Sequence, residues 1–140
     1  MENPFLFEYQ SDYSFPFDEQ QLCLWLSSVL AEEGKQVDQI LFVFCTDEYL
    51  LEINQQHLHH DYYTDIITFP YNYEPIESEI YISLERVADN AQKLKVSYAG
   101  ELSRVIVHGL LHMCGYNDKS KSEQAVMREK ESYYMVKLAK

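Results

Sequence analysis

The stretch His108-Gly-Leu-Leu-His112-Met-Cys-Gly115-Tyr116-Asn117-Asp118 closes a run, begun at Tyr98, that is apolar over much of a helical circumference. Such a run implies a helix buried on most sides, with Gly115 as its stop. On that helix Leu102, Val105, Ile106, Leu110 and Met113 share one face, and His108 and His112 stack on an adjacent one. Residues four apart have Cβ atoms about 5–6 Å from each other, so both imidazoles can reach one ion at about 2.0–2.1 Å. Gly115 lets the chain turn back, bringing Asp118 toward the pair as a third ligand. Buried imidazoles cost free energy unless partnered, and two of them beside a glycine turn and a carboxylate favour a ligand set. Three protein ligands leave a coordination position open, as a catalytic zinc requires and a structural one does not. We therefore expect one zinc ion per chain on His108, His112 and Asp118, serving hydrolysis. A carboxylate in third place makes the ion a somewhat weaker Lewis acid than three imidazoles would.

Outward from this helix, the pattern alternates strands and helices. Phe5 to Tyr9 is a short aromatic strand, and Asp18 to Gly34 reads as a helix with Leu22, Trp25, Leu26, Val29 and Leu30 on one face. Gln39 to Cys45 (QILFVFC) has the near-continuous apolar run of a strand buried on both faces. Thr46 and Asp47 cap a helix carrying Leu50, Leu51 and Ile53. Asp65 to Phe69 and Glu79 to Leu84 read as two further strands, with Pro70 to Ser78 as the loop between them. Ser83 can cap a helix from Leu84 to Leu94, and Lys121 to Leu138 is a charged amphipathic helix. Strands and helices mixed this way suggest an α/β sandwich, a single domain with a sheet of about four strands covered by helices.

Composition narrows the setting. The chain has 140 residues, enough for one core, and 46% of them are hydrophobic. Cys23, Cys45 and Cys114 are widely spaced without a CxxC pair, which excludes a disulfide framework and reads as reduced thiols. The N-terminal MENPFLFEYQSDY is not a signal peptide, and no apolar run approaches membrane-spanning length, so a cytoplasmic protein without a membrane partner is expected. The net charge of −12 argues against a polyanion partner until its distribution is considered. Residues 1–85 hold one basic residue, Lys35, against seventeen acidic ones, whereas residues 86–140 hold ten basic against six acidic. The basic charge accompanies the histidine motif.

The eleven-residue motif resembles the HGxLHLxGYDH signature of the YbeY family of zinc-dependent endoribonucleases, with identical spacing. Upstream, Thr64-Asp65-Ile66-Ile67-Thr68-Phe69 is similar to that family's T-(D/N)-V-L-S-F segment, and Glu79-Ile80-Tyr81-Ile82-Ser83 to its G-D-I-x-I-S strand. Asn54 and Asp61 also fall where the family carries them. The resemblance implies an α+β fold, a single domain with a mixed sheet of about four strands flanked by helices and the zinc motif on a central buried helix. It also implies hydrolysis of single-stranded RNA during ribosomal RNA maturation and ribosome quality control. Ribosomal RNA and the ribosomal small subunit or its associated factors are the implied partners. His108 and His112 match the first two zinc ligands; the family's third, a histidine, is Asp118 here. The family's RNA-contacting arginine is Leu58 here. His57, His59 and His60 surround it as candidate substitutes, and Lys119 and Lys121, directly after Asp118, are further candidates for RNA contact. Arg104, one turn before His108, could meet a phosphate or pair with Glu101.

Two other functions fit parts of the pattern. H-x-x-x-H-x-x-G-x-x-D has the spacing of an extended zinc-protease motif, but such proteases carry a glutamate as general base where this chain has Gly109. A non-enzymatic ribosome-associated factor with a fold-stabilising metal is the second. The motif leaves the catalytic base open, with Asp61 and Asp65 as candidates; either is also a common turn residue.

Overall fold

The structure is a computed structural model and describes residues 3–58 and 63–138. Its elements run β1 (Phe5–Tyr9), α1 (Glu19–Glu32), β2 (Val37–Cys45), α2 (Asp47–Leu58), β3 (Ile66–Tyr73), β4 (Ile76–Ser83), α3 (Leu84–Leu94), α4 (Tyr98–Met113) and α5 (Lys121–Leu138). The strands form one sheet in the order β1-β2-β4-β3. β1, β2 and β4 are parallel, and β3 joins β4 antiparallel at the edge, so the four-stranded sheet is mixed.

Side chains set the helix boundaries. Asp18 accepts from the Gln21 amide at the start of α1, Thr46 from Tyr49 at α2, Ser83 from Arg86 at α3 and Ser97 from Gly100 at α4. Each satisfies an amide that the first turn cannot pair. β2 is buried on both faces from Phe42 to Cys45. Phe42 and Phe44 join the main core with α1, α3, α4 and α5, while Val43 and Cys45 join a smaller cluster with Leu50, Ile53 and Ile67 under α2. One face of the sheet thus carries most of the helices and the other carries α2. Trp25 donates its indole N–H to the Tyr134 carbonyl at 2.8 Å, tying α1 to α5 inside the larger core.

The loop expected from Pro70 to Ser78 is instead a hairpin. β3 continues to Tyr73, β4 begins at Ile76, and only Glu74 and a cis Pro75 turn the chain. β3 lies at the sheet edge, where Pro70 need not supply a ladder N–H. A register irregularity between Pro70 and Asn72 absorbs the local misfit, and Asn72 donates to the Pro75 carbonyl at 2.8 Å.

α4 is buried along most of its length, from Glu101 and Leu102 to Met113. It crosses the sheet at Gly109, where a Cβ would lie 2.9 Å from Ile66 Cδ1 and 3.2 Å from Ile80 Cγ2. The glycine between the histidines' neighbours therefore serves close helix-to-sheet approach. No helix among the described residues is long and apolar enough to cross a membrane.

Candidate metal centre

The last turn of α4 is closed by a pair of backbone bonds. The Gly115 amide reaches the His112 carbonyl at 3.0 Å, and the Tyr116 amide reaches Leu111 at 3.1 Å. Gly115 has φ +105°, a left-handed conformation that glycine adopts without a side-chain clash. The chain reverses there, and the Tyr116 ring packs against the main core. Its hydroxyl donates to Glu33 at 2.7 Å, while Gln124 donates to the Asp118 carbonyl at 3.0 Å. These contacts hold Asp118 beside α4.

His108 Nε2 and His112 Nε2 stand 3.0 Å apart, and Asp118 Oδ2 lies 3.2 Å from the first and 3.5 Å from the second. A tetrahedral ion bonded at about 2.0–2.1 Å spaces its ligand atoms about 3.3–3.4 Å apart, close to the edges of this triangle. Two imidazole nitrogens and a carboxylate oxygen also suit zinc chemically. The three residues could hold a metal ion, and among the described residues they are the one such cluster.

Sequence reasoning missed Glu131. This α5 carboxylate is buried, with one oxygen 2.6 Å from His108 Nδ1 and the other 2.7 Å from Arg104 Nη1. With Nδ1–H donating to Glu131, the lone pair of His108 Nε2 is free to face the centre. Burial alone would push the His108 pKa down, but the hydrogen bond and charge of Glu131, with Asp118 and Asp65 nearby, raise it. Burial likewise pushes Glu131 up, and His108 and Arg104 outweigh it, leaving that carboxyl below its usual range. A signal was available: Glu131 sits between Met127 and Tyr134, the buried residues of an otherwise charged helix.

Arg104 pairs with Glu131 rather than Glu101, and its second amino group reaches Ser132 at 3.2 Å. A cleft of about 480 Å³ opens beside His108 and Asp118, lined also by Asp65, Glu101, Arg104, Arg128 and Glu131. Asp65 is half-buried at the mouth of β3, 3.4 Å from the Asn90 amide, and burial pushes its carboxyl up. His57 is not brought to the centre. It stands edge-on to Phe69, on the α2 side of the sheet, 6.0 Å between ring centroids. Lys119 and Lys121 are exposed just after Asp118. His59, His60 and Asp61 lie outside the described residues. Cys114 is buried in the core, its thiol pushed up to about 12 by burial, so it packs rather than reacts.

A family profile described as endoribonuclease YbeY matches residues 8–139. The chain belongs to the YbeY family. An endoribonuclease YbeY of Flavobacterium psychrophilum is 48% identical over 126 residues, covering 89% of each chain. That of Bacteroides thetaiotaomicron is 46% identical over 109 residues, 77% of this chain and 80% of its own. The solution structure of a Thermotoga maritima protein superposes with a TM-score of 0.68 at 25% identity, covering 95% of this chain and 89% of the other. The YbeY motif read from sequence, His108 to Asp118, is thus the segment that brings together three residues that could hold a metal ion.

Proposed function

We propose that this chain is a zinc-dependent endoribonuclease that hydrolyses single-stranded regions of ribosomal RNA. It acts in the cytoplasm, in ribosome maturation and quality control, with the ribosomal small subunit or its associated factors as partners. The observation that carries this reading is the convergence of His108 Nε2, His112 Nε2 and Asp118 Oδ2 within 3.0–3.5 Å on a YbeY-family chain. Three donors, with no fourth among the described residues, suit an open coordination position and hence catalysis over pure structure. Gly109, pressed against Ile66 and Ile80, leaves no room for a protease's glutamate.

A zinc ion on these residues would supply Lewis acidity and lower the pKa of a bound water. The chain's own groups do the rest. Glu131 holds the Nδ1 proton of His108 and so orients the ring. Arg104, engaged by Glu131 and Ser132, keeps that carboxylate in place rather than reaching outward. Asp65 faces the same cleft with a carboxyl pKa raised by burial, which makes it a stronger base than an exposed aspartate. The test compares zinc-loaded protein with His112→Ala on ribosomal RNA fragments. Cleavage should vanish in the variant while its circular dichroism stays native; equal cleavage by both proteins would refute the assignment.

A further inference from the structure

Glu101 is the buried carboxylate that the proposed chemistry leaves unused. It is 8% exposed, lines the cleft beside the metal centre, and among the described residues has neither a hydrogen bond nor an ion pair within 4 Å. The charged groups around it are Asp65 before β3, Arg104 on its own helix, and Arg128 and Glu131 on α5. Its oxygens keep contact with solvent in the cleft, and donors on a ligand would replace that partial hydration. Seven residues separate Glu101 from His108, about 10 Å along the helix, and helical side chains lean toward the N-terminus. That distance is too great for Glu101 to act on a bond broken at the metal centre. It suits a nucleotide next to that bond.

Arg128 supplies the other half of such a site. Its side chain is 62% exposed, and its nearest carboxylate, Glu131, is 3.9 Å away and already engaged by Arg104 and His108. The guanidinium is therefore available at the cleft wall, where a phosphate would neutralise it. The cleft, about 480 Å³, is of a size that takes one nucleotide.

We propose that this cleft is a subsite for one guanosine nucleotide of the RNA, with Arg128 binding its phosphate and Glu101 its base. Burial and the nearby Asp65 and Glu131 raise the Glu101 pKa, while Arg104 and Arg128 lower it. Two donors on a base favour the ionised carboxylate, which only accepts hydrogen bonds. Among the four bases, guanine alone presents two donors side by side on its Watson–Crick edge, the N1 imino and the N2 amino groups. Adenine and cytosine place an acceptor beside their amino group, and the uracil imino group is flanked by two carbonyls. A lone-pair-rich oxygen pair thus selects guanine and repels the rest.

The subsite deepens the endoribonuclease reading and rests on it, but its test is read by binding. Zinc-loaded protein is titrated with fluorescent 2′-O-methyl oligouridine, which resists cleavage, carrying one central guanosine, inosine or adenosine. Guanosine should bind at least about fivefold more tightly than inosine, which lacks the N2 amino group, and than adenosine. Glu101→Gln should abolish that preference, and Arg128→Gln should flatten the slope of log affinity against log salt by about 0.7. The inosine comparison uses the unaltered protein, so it stands whether or not Glu101→Gln folds. Equal affinity for guanosine and inosine, or a preference retained in a folded Glu101→Gln, overturns the subsite. A guanosine preference in a protein that cuts no RNA would instead overturn the nuclease assignment and leave the subsite standing.

Discussion

Glu131 and His108 are joined at 2.6 Å across the packing of α5 on α4, twenty-three residues apart in the chain. A metal-ligating imidazole whose far nitrogen donates to a carboxylate is fixed in tautomer and rotation, and is a stronger base toward the ion. The final helix is thereby part of the candidate metal centre although it contributes none of its three candidate ligands.

Glu131→Gln should weaken zinc binding by about 10–100-fold, because the amide keeps the shape but loses the charge that holds the His108 proton. Competition with a chromophoric chelator measures this. Zinc affinity equal to that of the wild type would show that His108 needs no such support.

Asp118→Ala removes a donor from the triangle and should cost more affinity than Glu131→Gln, while Asp118→His should retain the metal. Zinc content after dialysis separates the three proteins. Wild-type occupancy in Asp118→Ala would exclude that residue as a ligand.

Gly109→Ala should lower stability by about 1–3 kcal/mol through overpacking against Ile66 and Ile80. At an exposed helical position the same exchange would add up to about 1 kcal/mol from propensity. Urea denaturation of the two proteins decides the sign, and a stabilised variant would mean that α4 does not press on the sheet as described.

Glu33 gives the protein an acid limb. Burial pushes its pKa up, but Tyr134, Tyr116 and Lys130 all donate to it and outweigh burial, so the folded value lies below the ordinary 4.5. A depressed carboxyl contributes stability that is present above its unfolded pKa and is lost as pH falls through the folded one. Stability should therefore decline below about pH 4.5. In Glu33→Gln the neutral-pH stability should fall by on the order of 1–3 kcal/mol, and the acid decline should be shallower. Melting curves from pH 3 to 7 would contradict this if both proteins lost stability in parallel.

How much of this was legible in the sequence depended on range. His108 and His112 are four residues apart on one helix, and Asp118 follows a glycine that reverses the chain, so local periodicity and turn chemistry sufficed. Glu131 was hidden because its partners, Arg104 and His108, sit on a different helix. The same blindness left Arg104 open to a phosphate or to Glu101, its neighbour one turn away, when tertiary packing pairs it with Glu131. The hairpin was misread for another reason. Pro70 and Pro75 signal a break in isolation, and only the position of β3 at the sheet edge makes the first tolerable. The strands and the capped helices followed from pattern because each buries a face that its own residues define, whereas the mixed pairing of the sheet followed from the family resemblance.

The bond from Tyr116 to Glu33 spans eighty-three positions and ties the turn before Asp118 to the end of α1. Glu33 is in turn held by Lys130 and Tyr134 of α5. Asp118, the candidate third ligand, is therefore held in place by contacts that join α1 and α5 around α4. Tight capture of an ion by all three candidate ligands would require the finished fold, and the excised motif on its own would offer it only the two histidines.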